Sequence, residues 1–143
     1  MHFKLFGTFA LISALVACSI KQDVIPVTPV AATDVKQVCI IENPAVRETF
    51  LPVYQRNLES KGYTVRILAP RASTRECPMT STYTARWSWD FTIYMSIAEI
   101  TVYQDGQRSG YAKYDSRAGG MRLDKWVNAE QKINELVDQL FPN

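Results

Sequence analysis

Histidine is almost absent from this chain of 143 residues: the one copy stands at position 2. Imidazole is the commonest general base and metal ligand near neutral pH. A single copy excludes HExxH zinc sites, which need two on one helix face. An excess of either charge is also missing. Sixteen Lys and Arg face 14 Asp and Glu, for a formal charge of +2, whereas a dedicated nucleic-acid binder carries a marked basic surplus. No nucleic-acid partner is expected. The longest apolar run, Leu5 to Val16, falls short of the roughly 18 residues that a membrane-spanning helix needs. Repeats and low-complexity stretches are lacking too. What is there is 47% hydrophobic, 21% charged and 11% aromatic. That is the composition of a folded chain, at a length for one domain rather than two.

The first residues read as an address. Met1-His2-Phe3-Lys4 gives a positive start, Leu5 to Val16 an apolar segment, and Ala17 a small residue before Cys18. This is the pattern of a secretory signal peptide over residues 1–17. Leu15-Val16-Ala17-Cys18 resembles the lipobox of bacterial lipoproteins, and the resemblance covers this segment alone. It implies diacylglyceryl transfer to the Cys18 sulfur, cleavage after Ala17 and acylation of the new amino group. Two or three acyl chains hold a protein stably on a bilayer. Ser19 stands where Gram-negative lipoproteins carry their sorting residue. Serine rather than aspartate there implies the outer membrane, with the domain facing the periplasm. Cleavage would also remove His2 and Lys4, leaving no histidine and fifteen cations against fourteen anions. Ser-His-Asp and Cys-His catalysis are then excluded. No enzymatic activity, cofactor or metal is expected.

Residues 18–34 read as the lipidated cysteine and a flexible tether. Pro26 and Pro29 oppose helix and central strand alike, and sixteen extended residues reach at most about 55 Å. One domain is expected over 35–143. Val35 to Ile41 is a β-branched run, the first strand. Asn43-Pro44 suits a helix start and Gly62 its end. Pro52 either kinks that helix or marks where a loose first turn gives way to the main one. Tyr63 to Ala69 is the second strand, closing a βαβ-like unit.

From Thr82 to Ile97 the pattern alternates. Trp87, Trp89, Phe91, Ile93 and Met95 share one parity; Arg86, Asp90 and Tyr94 share the other. The phase slips near Ala98-Glu99, after which Ile100 and Val102 carry the apolar positions. Two strands breaking near Asp90–Met95, or one bent strand with a bulge, are expected. Asp105-Gly106 signals a type I′ hairpin turn, with Arg108 to Tyr114 returning. Ser116 to Arg122, with two adjacent glycines, reads as a flexible loop. A last helix begins near Asp124, its apolar face running from Trp126 to Leu140. The expected fold is α+β, ordered β-α-β-β-β-α, with a mostly antiparallel sheet and two helices on one face.

Two cysteines remain after lipidation, Cys39 and Cys77. An even pair in an oxidising periplasm suggests a disulfide. The Trp87–Trp89–Phe91 parity reads as a core face under the helices, where each Trp→Ala change costs roughly 3–5 kcal/mol; the alternative is an aromatic pocket. Arg86, Asp90 and Tyr94 form either a polar partner surface or an ordinary solvated face. Arg71 and Arg75, with Arg117 and Arg122, suit an anion site if they converge. The order of elements is similar to that of the TolB amino-terminal domain and of CsgG-like lipoproteins, a likeness of architecture without a shared motif. It implies a role in envelope assembly. The leading expectation is a non-enzymatic outer-membrane lipoprotein that binds another envelope component. A periplasmic ligand-binding or sensing module with an aromatic pocket is the alternative, and a histidine-free hydrolase the third reading.

Overall fold

The computed structural model describes residues 20–29, 36–120 and 122–143. The signal peptide, the lipobox, Cys18 and Ser19 lie outside these residues. Among the described residues six strands form one mixed sheet: β1 Lys21–Ile25, β2 Gln37–Ile41, β3 Thr64–Leu68, β4 Met79–Asp90, β5 Thr92–Gln104 and β6 Gln107–Asp115. Their order across the sheet is β1-β6-β5-β4-β2-β3. β2 pairs parallel with β3 and β4, and all other pairs are antiparallel. Two helices, α1 Phe50–Ser60 and α2 Ala129–Leu140, cover one face. This is the expected α+β class; the long alternating segment makes two strands, β4 and β5, and one further strand lies outside the expected order.

That strand is β1. Lys21–Ile25 was expected within a tether; it pairs with β6 from Lys21↔Asp115 to Ile25↔Tyr111. The prolines do not oppose it, because Pro26 and Pro29 fall after its last residue on a sheet edge. Val27 then turns inward, 2% exposed, and its N–H donates to the Leu140 carbonyl at 2.9 Å. Gly110 permits this approach. A Cβ there would stand 2.4 Å from Val27 Cγ1 and 3.1 Å from Leu140 Cδ1. Gly110→Ala is therefore expected to cost about 1–3 kcal/mol by overpacking. It should also speed hydrogen exchange at the Val27 amide, which amide exchange by NMR would report.

The first helix starts later than Asn43-Pro44 suggests. Asn43 instead folds a turn, its Oδ1 accepting from Ala45 N and its carbonyl from Val46 N. α1 begins at Phe50, so Pro52 falls in the first turn, where a missing N–H costs nothing. Gly62, at φ +85°, follows the helix as expected. The last helix likewise begins later than Asp124. Leu123–Trp126 is a 3₁₀ turn, and α2 is capped by Asn128, whose side chain accepts from Glu130 N at 2.8 Å. A second 3₁₀ turn, Arg117–Gly119, occupies the loop expected to be flexible.

The core lies between sheet and helices. Phe50, Tyr54 and Leu58 of α1 and Ile133, Leu136, Val137 and Leu140 of α2 pack on Val38, Ile40, Tyr83, Ile100, Val102, Ala112 and Tyr114. The buried Tyr54 hydroxyl shares a 2.7 Å hydrogen bond with Ser81 Oγ, and burial raises its pKa well above that of free tyrosine. On the opposite face a smaller cluster joins Cys39, Ile41, Leu68 and Cys77. Cys39 and Cys77 form the expected disulfide, their Cα atoms 6.1 Å apart. It fastens the segment between β3 and β4 across the back of β2.

Candidate functional site

The phase slip in the sequence is a β-bulge. Arg86 pairs with Ile97 but Trp87 with Met95, which leaves Ser96 as the extra residue. Its polar groups are satisfied locally. Ser96 Oγ donates to the Arg86 carbonyl and receives from Ser88 Oγ, and its own carbonyl accepts from Ser116 N and Oγ. β6 stops at Asp115, opposite Ile97. Beyond that row β4 and β5 pair only with each other, from Trp87↔Met95 to Asp90↔Thr92. The result is a two-stranded ribbon that overshoots the sheet.

This overshoot overturns the core reading for the far end of the alternating face, while Ala85, Trp87 and Met95 keep to the core. Met95 is buried and Trp87 half-buried, with the Arg47 guanidinium 5.1 Å from the Trp87 ring centre. Trp89, Phe91 and Ile93 are 74%, 81% and 56% exposed. The alternation is real, but among the described residues no helix or third strand lies over its far end. Phe91 makes the turn at φ +58°, a left-handed conformation that costs a non-glycine residue roughly 1–2 kcal/mol. Leu123, 78% exposed, lies on the adjoining 3₁₀ turn. Residues three apart share a face there, so Leu123 is aligned with Trp126, whose ring meets Phe91 edge-on at 6.4 Å.

Lys125 fastens this turn to the ribbon. Its side chain is 6% exposed and its Nζ contacts Asp90 Oδ2 and, at 2.5 Å, the Gly120 carbonyl. The same ammonium stands 4.9 Å from the Trp126 ring and 5.9 Å from the Tyr94 ring. Asp90 and Tyr94 are thus brought together, as their shared parity implied, but around an internal cation. Arg86 stays exposed on the near side of the bulge. Nothing in the pattern around Lys125 marks it: one lysine between Asp124 and Trp126 carries no periodic signal.

The arginines do not gather. Arg71, at φ +67°, borders a cleft of about 390 Å³ lined by Pro44, Pro70 and Tyr83 among others. Arg75 lies against Gly106 at the opposite end of the sheet. Arg117 and Arg122 bind carboxylates beside them, Asp115 and Asp124. The clefts described on the surface are lined by residues other than Trp87 and Trp89.

The Arg117 fork holds the Asp115 carboxyl down to about 2, against 3.8 for a free aspartate. The unfolded chain takes up that proton first, so the pair stabilises the fold in full above pH about 4 and loses its effect as pH falls toward 2. Arg117 is more than half exposed, so the effect is small. The melting-temperature difference between wild type and Asp115→Asn is expected to be constant at neutral pH and to vanish near pH 2 in acid-titrated calorimetry.

The amino-terminal chain enters at the ribbon end. Lys21 lies in the row Lys21–Asp115–Ile97–Arg86. Ile20 packs at Gly119, whose would-be Cβ stands 3.2 Å from Ile20 Cγ1 and 3.8 Å from Lys125 Cβ. Only Ser19 separates Cys18 from Ile20. The long reach expected of a sixteen-residue tether is therefore not available to a lipid on Cys18.

The described residues make an α+β domain of six mixed strands and two helices on one face. No family model and no curated protein matches the chain in sequence. Solved structures do match in fold. PelC from Paraburkholderia phytofirmans, a dodecamer, aligns with a TM-score of 0.56 at 11% identity. A second crystal form, of a single-residue variant of PelC, aligns at 0.55 and 11%. Each alignment covers 85% of this chain and 94% of the PelC chain.

Proposed function

We propose that this chain is a lipid-anchored protein of the bacterial outer membrane whose periplasmic domain is an assembly module and not an enzyme. The observation that carries assembly is the outer edge of β3. Among the described residues no strand pairs with it. Thr64 N donates inward to Lys36 and the Leu68 carbonyl accepts inward from Glu42. By alternation, the N–H groups of Val65 and Ile67 point away from the sheet, free for a further strand. PelC, which shares the fold, assembles as a dodecamer, so a second copy is the first occupant to test. Carboxylates near the ribbon support a binding role over hydrolysis. Asp90, Asp115 and Asp124 each pair with a cation and none with another carboxylate.

Ile67→Pro removes an outward donor without breaking a bond to β2. Its melting temperature is expected to stay within a degree or two of wild type, as for a surface change. Light scattering should show a smaller assembly, and less protein should be retained from detergent-solubilised envelopes. Equal mass and equal retention in both proteins would refute the edge as the binding surface. The anchor is tested separately. Cys18→Ala should abolish labelled palmitate incorporation, and Ser19→Asp should move the protein to inner-membrane fractions of a Gram-negative host.

A further inference from the structure

We propose that the ribbon end formed by Trp89, Phe91 and Ile93, with Leu123 beside it, seats in the interfacial layer of the same bilayer that holds the Cys18 acyl chains. The inference rests on the lipoprotein reading and adds a second, non-covalent membrane contact to it. Four large apolar side chains, 56–81% exposed, gather at one end of the domain. Each is carried on a framework that the fold goes to some length to build. A bulge re-aims the ribbon, Phe91 adopts a left-handed turn, and a buried lysine fixes the adjoining 3₁₀ turn. The core gains nothing from these exposed side chains, so their cost points to a use outside the domain.

The chain path identifies the occupant. Lys21 and the ribbon lie at one end of the sheet. Phe91 is five residues beyond Arg86, the row that contains Lys21, which places the tip about 16 Å farther out at strand rise. Cys18 is three residues before Lys21, a reach of about 10 Å, and its side chain with a glyceryl group extends it further. A lipid on Cys18 and the tip therefore both lie within reach of one plane beyond the same end of the sheet. Tryptophan and phenylalanine are the side chains that favour the membrane interface. The charges nearby permit such an approach, because Asp90 and Asp124 are each neutralised by a bound cation.

The test uses the full mature protein reconstituted into vesicles of phosphatidylethanolamine and phosphatidylglycerol, with or without brominated acyl chains. Mass spectrometry of the same sample reports acylation. The emission of Trp89 is taken as the difference between wild type and Trp89→Phe, and independently from a chain whose only tryptophan is Trp89 (Trp87→Phe with Trp126→Phe). Trp89 is expected to lose roughly half its intensity to bromine and to escape aqueous iodide, because interfacial side chains sit about 5–10 Å into the headgroup boundary. Acylated protein whose Trp89 is quenched by iodide and not by bromine overturns the proposal and leaves the anchor standing. Acylated protein whose Trp89 is reached by neither quencher also overturns it, in favour of a second copy covering the tip. Protein without acyl chains overturns the anchor reading, and this inference with it.

Discussion

Phe50→Ala is expected to destabilise the domain by about 3–5 kcal/mol, the range for a fully buried phenylalanine. The side chain is 0% exposed, at the first position of α1. Its ring stacks on Tyr83 with centroids 5.0 Å apart and meets Tyr54 edge-on at 6.4 Å. Truncation opens a cavity that neither neighbour can close. Tyr83 is held by hydrogen bonds with Asn43, its hydroxyl accepting from the Asn43 N–H and its carbonyl from the Asn43 amide. Tyr54 is tied to Ser81. Phe50→Leu keeps more of the volume and should cost less. Trp89→Ala is the control: a larger side chain, but 74% exposed, so its cost should stay within about 0.5 kcal/mol. Urea titration checks both, as a fall in midpoint for Phe50→Ala at unchanged slope and almost no shift for Trp89→Ala. A large loss at Trp89 would return it to the core role that its parity suggested.

Removal of the Cys39–Cys77 bond should have an effect of similar size. It closes a loop of 38 residues, for which loop-closure entropy gives about 4 kcal/mol as an upper figure. Both cysteines are buried, with Ile41 and Leu68 around them, so the double change to alanine retains most of the packing and isolates the cross-link. The midpoint of Cys39→Ala/Cys77→Ala in urea should fall under non-reducing conditions, and reductant should then have no further effect on it. Wild type should show no reactive thiol on these two residues when denatured without reductant. A double variant as stable as wild type would mean that the bond adds nothing to the packing around it.

Much of the fold is legible in the sequence where the signal is local. Asp105-Gly106 forms its turn with φ of +51° and +79°, because those two residues tolerate positive φ. The slip in alternation correctly marks a bulge, since a change of parity within one strand has no other remedy. The misreadings come from long-range partners. β1 looks like a tether because the strand that holds it lies about ninety residues away, at Tyr111–Asp115. Trp89 looks like core because periodicity tells which side chains share a face and not whether anything covers that face. The site suffers most from this. Asp90 and Tyr94 are identified by parity, but the lysine that joins them comes from a separate 3₁₀ turn.

The β1–β6 pairing would also give the proposed anchor a mechanical character. Lys21 is the end of β1 nearest Cys18, the proposed lipid site, and five residue pairs join the strands from Lys21 to Ile25. A force drawing the domain away from the membrane along the strand axis pulls β1 lengthwise past β6. That is shear, in which the ladder bonds are loaded together, and not peeling, in which they break in succession. Gln22 adds side-chain bonds to Glu135 and Gln139 of α2, so the same pull is shared with the helix layer. A domain fastened in this way resists slow extraction as a unit, and its grip under tension is set by the rate at which the whole joint opens.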